Sequence, residues 1–353
     1  MAIVNLVKIN DRSGILLSDE EFWRQGRRRT LSLDNLQSLL PDNFRKTTPI
    51  EAVIGIVGDP SITYDAVLRT QKRIKSVTEN PKKEGFDQPP QTLKAIADIA
   101  VEEIDKLIRK RIDDQLKFAY GFDLKDLNRG FFEDKGEKVD ISQDEIRSDA
   151  LKWIKSDSAP PRVKRLLSVS AIIAGIDEQN GFHWYEWEAD SGNLFLGSGY
   201  FETIGKGSDG ANLAFIDIFR QWELPRRRKG MKTTEAILAL LESMEAALRF
   251  NHEVGGYPSL MIIDGNETTT TKRLQEITGH RTKLALEIVT AYIHDYLDKA
   301  EVLKMVKNLI IDGKDHESIE NQMFEAAHDK SALEHFLRGY KSSLSTPRKG
   351  ASS

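Results

Sequence analysis

The chain of 353 residues contains no cysteine. Disulfides, thiolate metal sites and a cysteine nucleophile are therefore excluded. No apolar run approaches the roughly 18–20 residues of a membrane span. The formal net charge of −4 leaves no global basic field of the kind that draws a protein to nucleic acid. The opening MAIVNLVKINDRSG lacks a charged segment followed by an apolar one, so secretion is not indicated. There is no HExxH pattern, no internal repeat, and no low-complexity tract beyond Thr268–Thr271. Hydrophobic residues at 39% and charged residues at 30% describe a soluble globular chain with enough apolar surface for a sizeable core. Together these features predict a cytoplasmic protein with no cofactor, no metal, no nucleic acid and no membrane among its partners.

Several segments have a clear periodicity. Ala2–Lys8 and Gly14–Ser18 are rich in β-formers and flank a turn at Asn10–Gly14, which predicts a hairpin. Glu51–Val57 (EAVIGIV) is a short apolar run of buried-strand type. It ends at Gly58-Asp59-Pro60-Ser61, where Asp59 or Ser61 suits a helix cap and Pro60 the first turn. A polar loop over 78–90 precedes a long helix predicted from about Gln91 to Tyr120, with Leu93, Ile96, Ile99, Ala100, Ile104, Leu107 and Ile108 at helical spacing. Residues 121–161 are read as polar loops plus a short helix around Glu145–Ile154. Leu166–Gly175 and Phe182–Glu188 read as two strands joined by a turn. A helix is predicted at Ala211–Trp222 and another at Thr233–Phe250. A strand follows at Tyr257–Ile263, and a mainly helical stretch from Lys272 to Tyr340. The last dozen residues have the composition of a disordered tail. Hairpins outnumber βαβ units, so the fold class expected is α+β, with antiparallel sheets covered by helices.

The segment with most chemistry in it is Ile204-Gly205-Lys206-Gly207-Ser208-Asp209-Gly210, just before the predicted helix. Glycines let such a turn bring its N–H groups close to another atom, and a helix start adds a positive dipole end. A phosphate-binding P-loop is not what it encodes. Five residues separate Gly199 from Gly205 instead of four, and Gly207 follows Lys206 where a Ser or Thr would hold Mg²⁺. His183, Glu186 and Glu188 do not form a metal set, because on a strand 183 lies on the opposite face from 186 and 188. Arg27–Arg29 and Arg226–Lys229 read as solvated or interface charges. Thr268–Thr271 reads as a polar loop or helix cap.

The order of these pieces resembles the β-subunit type of proteasome, an N-terminal-nucleophile hydrolase family. The matching strings are the hairpin Ala2–Asp19; Ile54–Asp59; Ala171–Asp177 with Phe182–Trp187; Ile204–Ser208; and Ala236–Asn251 with Gly255-Gly256-Tyr257 and Ser259–Asp264. The resemblance implies a four-layer α-β-β-α sandwich over 1–275, with an enlarged helical section at 78–165. A helical extension over 276–341 and a disordered tail over 342–353 would follow.

It also implies a chemistry that can be checked role by role. The family uses a Thr, Ser or Cys at a processed N-terminus, a free α-amine as base, a nearby lysine and an N–H of the glycine turn for the oxyanion. Here trimming Met1 exposes Ala2, whose side chain has no nucleophilic atom, and no Thr-Thr or Ser-Thr pair precedes the first strand. Asp19 fits the acidic role. The position expected for the lysine falls near Asn35 or Leu36. Lys206 replaces the turn serine, and the Asp and Ser after the late helix align with Asn251 and Val254.

Asp19 has two readings, a relic catalytic acid or a turn residue. Lys206 likewise reads as a cation facing an oxyanion or as one half of a salt bridge. The candidate site residues are Asp19, Lys206 and Ser208. The expected function is a non-catalytic proteasome-like subunit, a pseudoenzyme of the proteolysis machinery. It would form a homo-oligomer or pair with a related subunit, with a peptide or protein as ligand. The alternative is an active peptidase or amidohydrolase whose nucleophile is Ser208.

Overall fold

The computed structural model describes residues 2–24, 27–30, 35–134, 136–141, 144–154, 161–220 and 230–337. The strands in chain order are β1 (Ile3–Asn10), β2 (Ser13–Ser18), β3 (Glu21–Arg24), β4 (Arg27–Thr30), β5 (Leu36–Ser38), β6 (Glu51–Val57) and β7 (Phe131–Asp134). They continue with β8 (Glu137–Asp140), β9 (Ser170–Asp177), β10 (Gly181–Glu188), β11 (Leu194–Leu196), β12 (Phe201–Gly205), β13 (Ser259–Asp264) and β14 (Leu274–Ile277). The helices are α1 (Asp42–Thr47), α2 (Pro60–Glu79), α3 (Leu93–Tyr120), α4 (Leu124–Arg129), α5 (Asp144–Ile154) and α6 (Pro161–Leu167). The later ones are α7 (Ser208–Arg220), α8 (Thr233–Phe250), α9 (His280–Ile293), α10 (Lys299–Val306), α11 (His316–Ala326) and α12 (Lys330–Phe336). The chain divides into two compact units, one of residues 1–36, 180–183 and 198–353, the other of 37–179 and 184–197.

The first unit is built on a five-stranded antiparallel sheet in the order β12-β1-β2-β13-β14. The predicted hairpin is its centre, with Leu6 opposite Leu16 and Val7 opposite Ile15. Alternate residues Ile3, Val7, Ile9, Ile15, Leu17, Leu260 and Ile262 share one core with Ala211, Phe215, Ala236, Leu240, Met244, Ile288 and Val289 of the helices. The other face, with Val4, Leu6, Leu16 and Met261, is buried as well. Burial on both faces explains why β1 and β2 read as nearly unbroken apolar runs instead of alternating ones. One polar network sits inside the helix-covered core. Thr203 Oγ1 donates to Asn5 Oδ1 at 2.7 Å, and Asn5 Nδ2 donates to Ser243 Oγ at 3.0 Å. Ser243 Oγ in turn donates to the Leu240 carbonyl at 2.8 Å. Every member is satisfied, so the network fixes register without an orphaned group.

The second unit holds the sheet β11-β10-β9-β6-β5, with β6 and β9 antiparallel and Ile54 opposite Ile173. Ile54, Ile56, Ala171 and Ile173 pack against Ile96, Ile99, Ala100 and Ile104 of α3. Thr92 caps α3 by accepting from Ala95 N–H, and Gly121 in the left-handed conformation ends it. Asp177 Oδ2 also accepts from Leu93 N–H at 2.9 Å, satisfying another N-terminal donor of that helix.

The antiparallel α+β organisation is as the sequence predicts, and several elements differ. Phe131–Asp134 and Glu137–Asp140 pair as strands β7 and β8 within a stretch read as loops. Leu166 and Leu167 close helix α6, so β9 begins at Ser170; propensity alone does not separate a short apolar helix end from a strand. The stretch read as mainly helical from Lys272 opens with β14, held by β13 as an edge partner. Helix α7 starts three residues earlier than expected, at Ser208. The predicted tail and the basic stretch Arg226–Lys229 lie outside the described residues, as do the side chains of Arg27–Arg29. No described helix is long and apolar enough to cross a membrane.

The helical part carries a buried acid. Glu287 on α9 is 8% exposed, and its Oε1 has no hydrogen-bond partner. Burial pushes its carboxyl up to about 7, with Glu320 adding to the rise and Lys283 opposing it. Because the folded value lies above the unfolded one, the folded state binds more protons. Its contribution to stability is present below about pH 4.5 and is lost as pH rises through 7. Glu287→Gln should therefore stabilise the protein at pH 8 by about 3 kcal/mol and have little effect at pH 4.5. Urea unfolding at the two pH values checks this; an equal effect at both would mean the carboxyl does not titrate there.

Candidate functional site

The sequence-predicted residues come together in the first unit, around the start of β1. Asp19 follows β2 directly and is 1% exposed. Its Oδ1 accepts from Ile3 N–H at 2.9 Å and its Oδ2 from Gly255 N–H at 3.0 Å. The Asp19 carbonyl accepts from Asn35 Nδ2 at 2.6 Å. One carboxylate thus joins the head of the first strand to the loop after α8, and Asn35 is one of the two positions, with Leu36, near which the resemblance expects a lysine. An amide in that place supplies a donor but no positive charge, so it does not lower a neighbour's proton affinity as an ammonium would.

The glycine turn lies between β12 and α7. Gly205 has φ +105°, and a Cβ there would sit 2.1 Å from the Ala2 carbonyl oxygen. A Cβ on Gly207 would stand 2.9 Å from Ala247 and Val254, and one on Gly210 2.8 Å from Phe250. Each glycine is a place where chain approaches chain. Ala211 N–H donates to the Gly207 carbonyl at 3.1 Å, so the turn runs straight into the helix.

Lys206 leans away from the core and pairs with Glu253, with Nζ 2.5 Å from Oε2. The hydrogen bond from Lys206 holds the Glu253 carboxyl below its usual range. Asn251 fastens the same two segments, its Nδ2 donating to the Lys206 carbonyl and its Oδ1 accepting from Glu253 N–H, both at 2.9 Å. Val254 is buried at 2% exposure. Ser208 opens α7 and is partly buried, and no hydrogen bond joins it to Lys206 or to another described side chain.

The structure therefore gathers Asp19, Asn35, Lys206, Asn251 and Val254 at one place, with Ala2 at the head of β1. Glu253 was not anticipated. It lies 47 residues beyond Lys206 with no periodic relation to it, and only the folded turn brings them together. His183 stands elsewhere, with ring Nδ1 3.0 Å from the Gly181 carbonyl. Among the described residues no three His, Asp or Glu side chains are grouped to hold a metal ion.

The structure thus combines antiparallel sheets backed by helices, a hairpin at the start and a glycine turn entering a helix. No protein-family model and no curated protein matches the chain. Among solved structures it is similar to Anbu, whose relative from Yersinia bercovieri is described as an ancestral β-subunit. The helical assembly of the Anbu complex from Pseudomonas aeruginosa matches with a TM-score of 0.52 at 12% identity, over 83% of this chain and 94% of that one. Anbu from Hyphomicrobium sp. strain MC1 matches at 0.49 and 14% identity over the same shares, and the Yersinia protein at 0.47 and 12% over 79% and 88%. The Pseudomonas match carries the assignment of fold.

Proposed function

We propose that this chain is a cytoplasmic proteasome-like subunit that assembles with copies of itself, as a ring or a stack, and that does not perform the hydrolysis of its fold. The observation that carries this is Asn35 on the Asp19 carbonyl, where the resemblance expects, near Asn35 or Leu36, a lysine that would tune a nucleophile. Asp19 supports the same reading. Both its oxygens accept backbone N–H groups, which is the work of a structural brace. Lys206 is held by Glu253 instead of facing a reacting oxygen. The four-layer sandwich over 1–275, the enlarged section at 78–165 and the helical extension over 276–341 belong to this proposal. Assembly rests on the likeness to the Pseudomonas protein, which forms a helical assembly. A peptide or protein would be the ligand of the altered cleft.

Size-exclusion chromatography with light scattering tests the assembly. A mass of several times 40.0 kDa is expected at micromolar concentration, and a strict monomer would overturn it. A fluorogenic-peptide screen tests the chemistry. Neither the unmodified protein nor Ser208→Ala should show turnover. Activity lost in Ser208→Ala would instead establish the second reading, an amidohydrolase with its serine at the positive end of α7.

A further inference from the structure

The second unit ends its sheet on an unusual edge. β11 is the outermost strand, paired to β10 with Tyr185 opposite Leu196, Glu186 opposite Phe195 and Trp187 opposite Leu194. Gly197 N–H donates to the Trp184 carbonyl at 2.9 Å. In an antiparallel ladder the inward-bonded positions alternate, so this bond makes 195 an inward position. It turns the N–H and C=O of Leu194 and Leu196 outward. Among the described residues no strand pairs with that outer side. Phe195 is 53% exposed and Leu196 63% exposed, one on each face of the sheet.

Sheet edges are commonly blunted by shortness, a lysine, a proline or a bulge. β11 is short, but Asn193-Leu194-Phe195-Leu196-Gly197 has no lysine or proline, and its pairing with β10 keeps a regular register. Outward backbone donors and acceptors flanked by exposed apolar side chains are complementary to one kind of occupant, another extended chain. The edge is three residues long, which is too little contact to hold two copies of the protein together by itself. A peptide segment needs no more. At the Leu194 end of the edge, Glu188 and Asp190 are exposed, so that end favours a cation.

We propose that β11 captures an extended segment of a partner protein by strand addition, the segment having consecutive apolar residues and a lysine or arginine beside them. Leu194 and Leu196 supply the main-chain bonds. Phe195 and Leu196 supply the apolar contact on the two faces, and Glu188 and Asp190 select for the basic residue. This surface is separate from the Asp19 cluster and does not depend on the reading of that cluster.

The test uses the full chain and a fluorescein-labelled peptide, Arg-Val-Phe-Val-Thr-Val-Arg, followed by anisotropy. Saturable binding is expected, weakened by ~tenfold or more when alternate peptide nitrogens are methylated, since a strand pair requires those N–H groups. Phe195→Lys with Leu196→Lys should weaken binding by a similar ~tenfold while circular dichroism stays unchanged. Raising the salt from about 0.05 to 0.5 M should weaken it several-fold. Absence of saturable binding, or equal binding of the methylated peptide, would overturn the proposal. So would self-association of the unmodified chain that the double variant abolishes, because a second copy would then occupy the edge.

Discussion

Asp19→Ala is expected to lower the unfolding free energy by about 3–5 kcal/mol, because two buried N–H donors lose a charged acceptor at once. The donors are those of Ile3 and Gly255, separated from Asp19 by 16 and 236 residues. Each orphaned donor is worth roughly 1–3 kcal/mol, and the alanine fills none of the vacated space. Asp19→Asn keeps one acceptor oxygen and should lose about half as much. Urea unfolding of the three proteins measures this directly. If Asp19→Ala unfolds within about 1 kcal/mol of the unmodified chain, the brace does not exist in solution. If Asp19→Asn behaves like the unmodified chain in stability but alters peptide turnover, the carboxylate has a chemical role after all.

Gly205→Ala is the second large effect. The position has φ +105°, and the new Cβ would meet the Ala2 carbonyl oxygen at 2.1 Å. The conformation alone costs about 1–3 kcal/mol for a residue with a side chain. The clash is with backbone, so relief requires β12 to move away from β1, breaking the pair Ile3–Gly205. A total loss of about 4 kcal/mol or more is expected. Hydrogen exchange should localise the damage to β1 and β12. Gly192→Ala is the control: its φ is +67°, but no atom lies within 4 Å of the new Cβ, so only the conformational strain applies. Similar losses in both variants would show that the close approach at Gly205 is not what the glycine is there for.

The sequence makes one frame element of each unit readable. Glu51–Val57 and Thr233–Phe250 form the predicted strand and helix with the predicted ends, because an unbroken apolar run and a strong 3.6-residue period leave little choice. The ends of β9 and α7 and the strand β14 were harder, since their limits are set by partners far along the chain. The site divides in the same way. The family resemblance points to Asp19, Lys206 and Asn251 through their order relative to strands and turns. What each one touches was not legible. Glu253 reaches Lys206, and Asn35 reaches the Asp19 carbonyl, only through the folded loops. No local period relates such pairs, so a sequence shows candidate positions before it shows how their side chains are satisfied.

The sheet of the first unit also sets an order of events during synthesis. β2 pairs with β13, Ser18 lying opposite Ser259, and β1 pairs with β12, Ile3 lying opposite Gly205. A ribosome adding roughly 5–20 residues per second needs about 10–50 s to pass from the first hairpin to its last central partner. For that interval two strands with apolar side chains on both faces have no neighbours to cover them. The nascent chain is then most exposed to wrong pairing, and a chaperone that shields the first twenty or so residues would act at the point of greatest need.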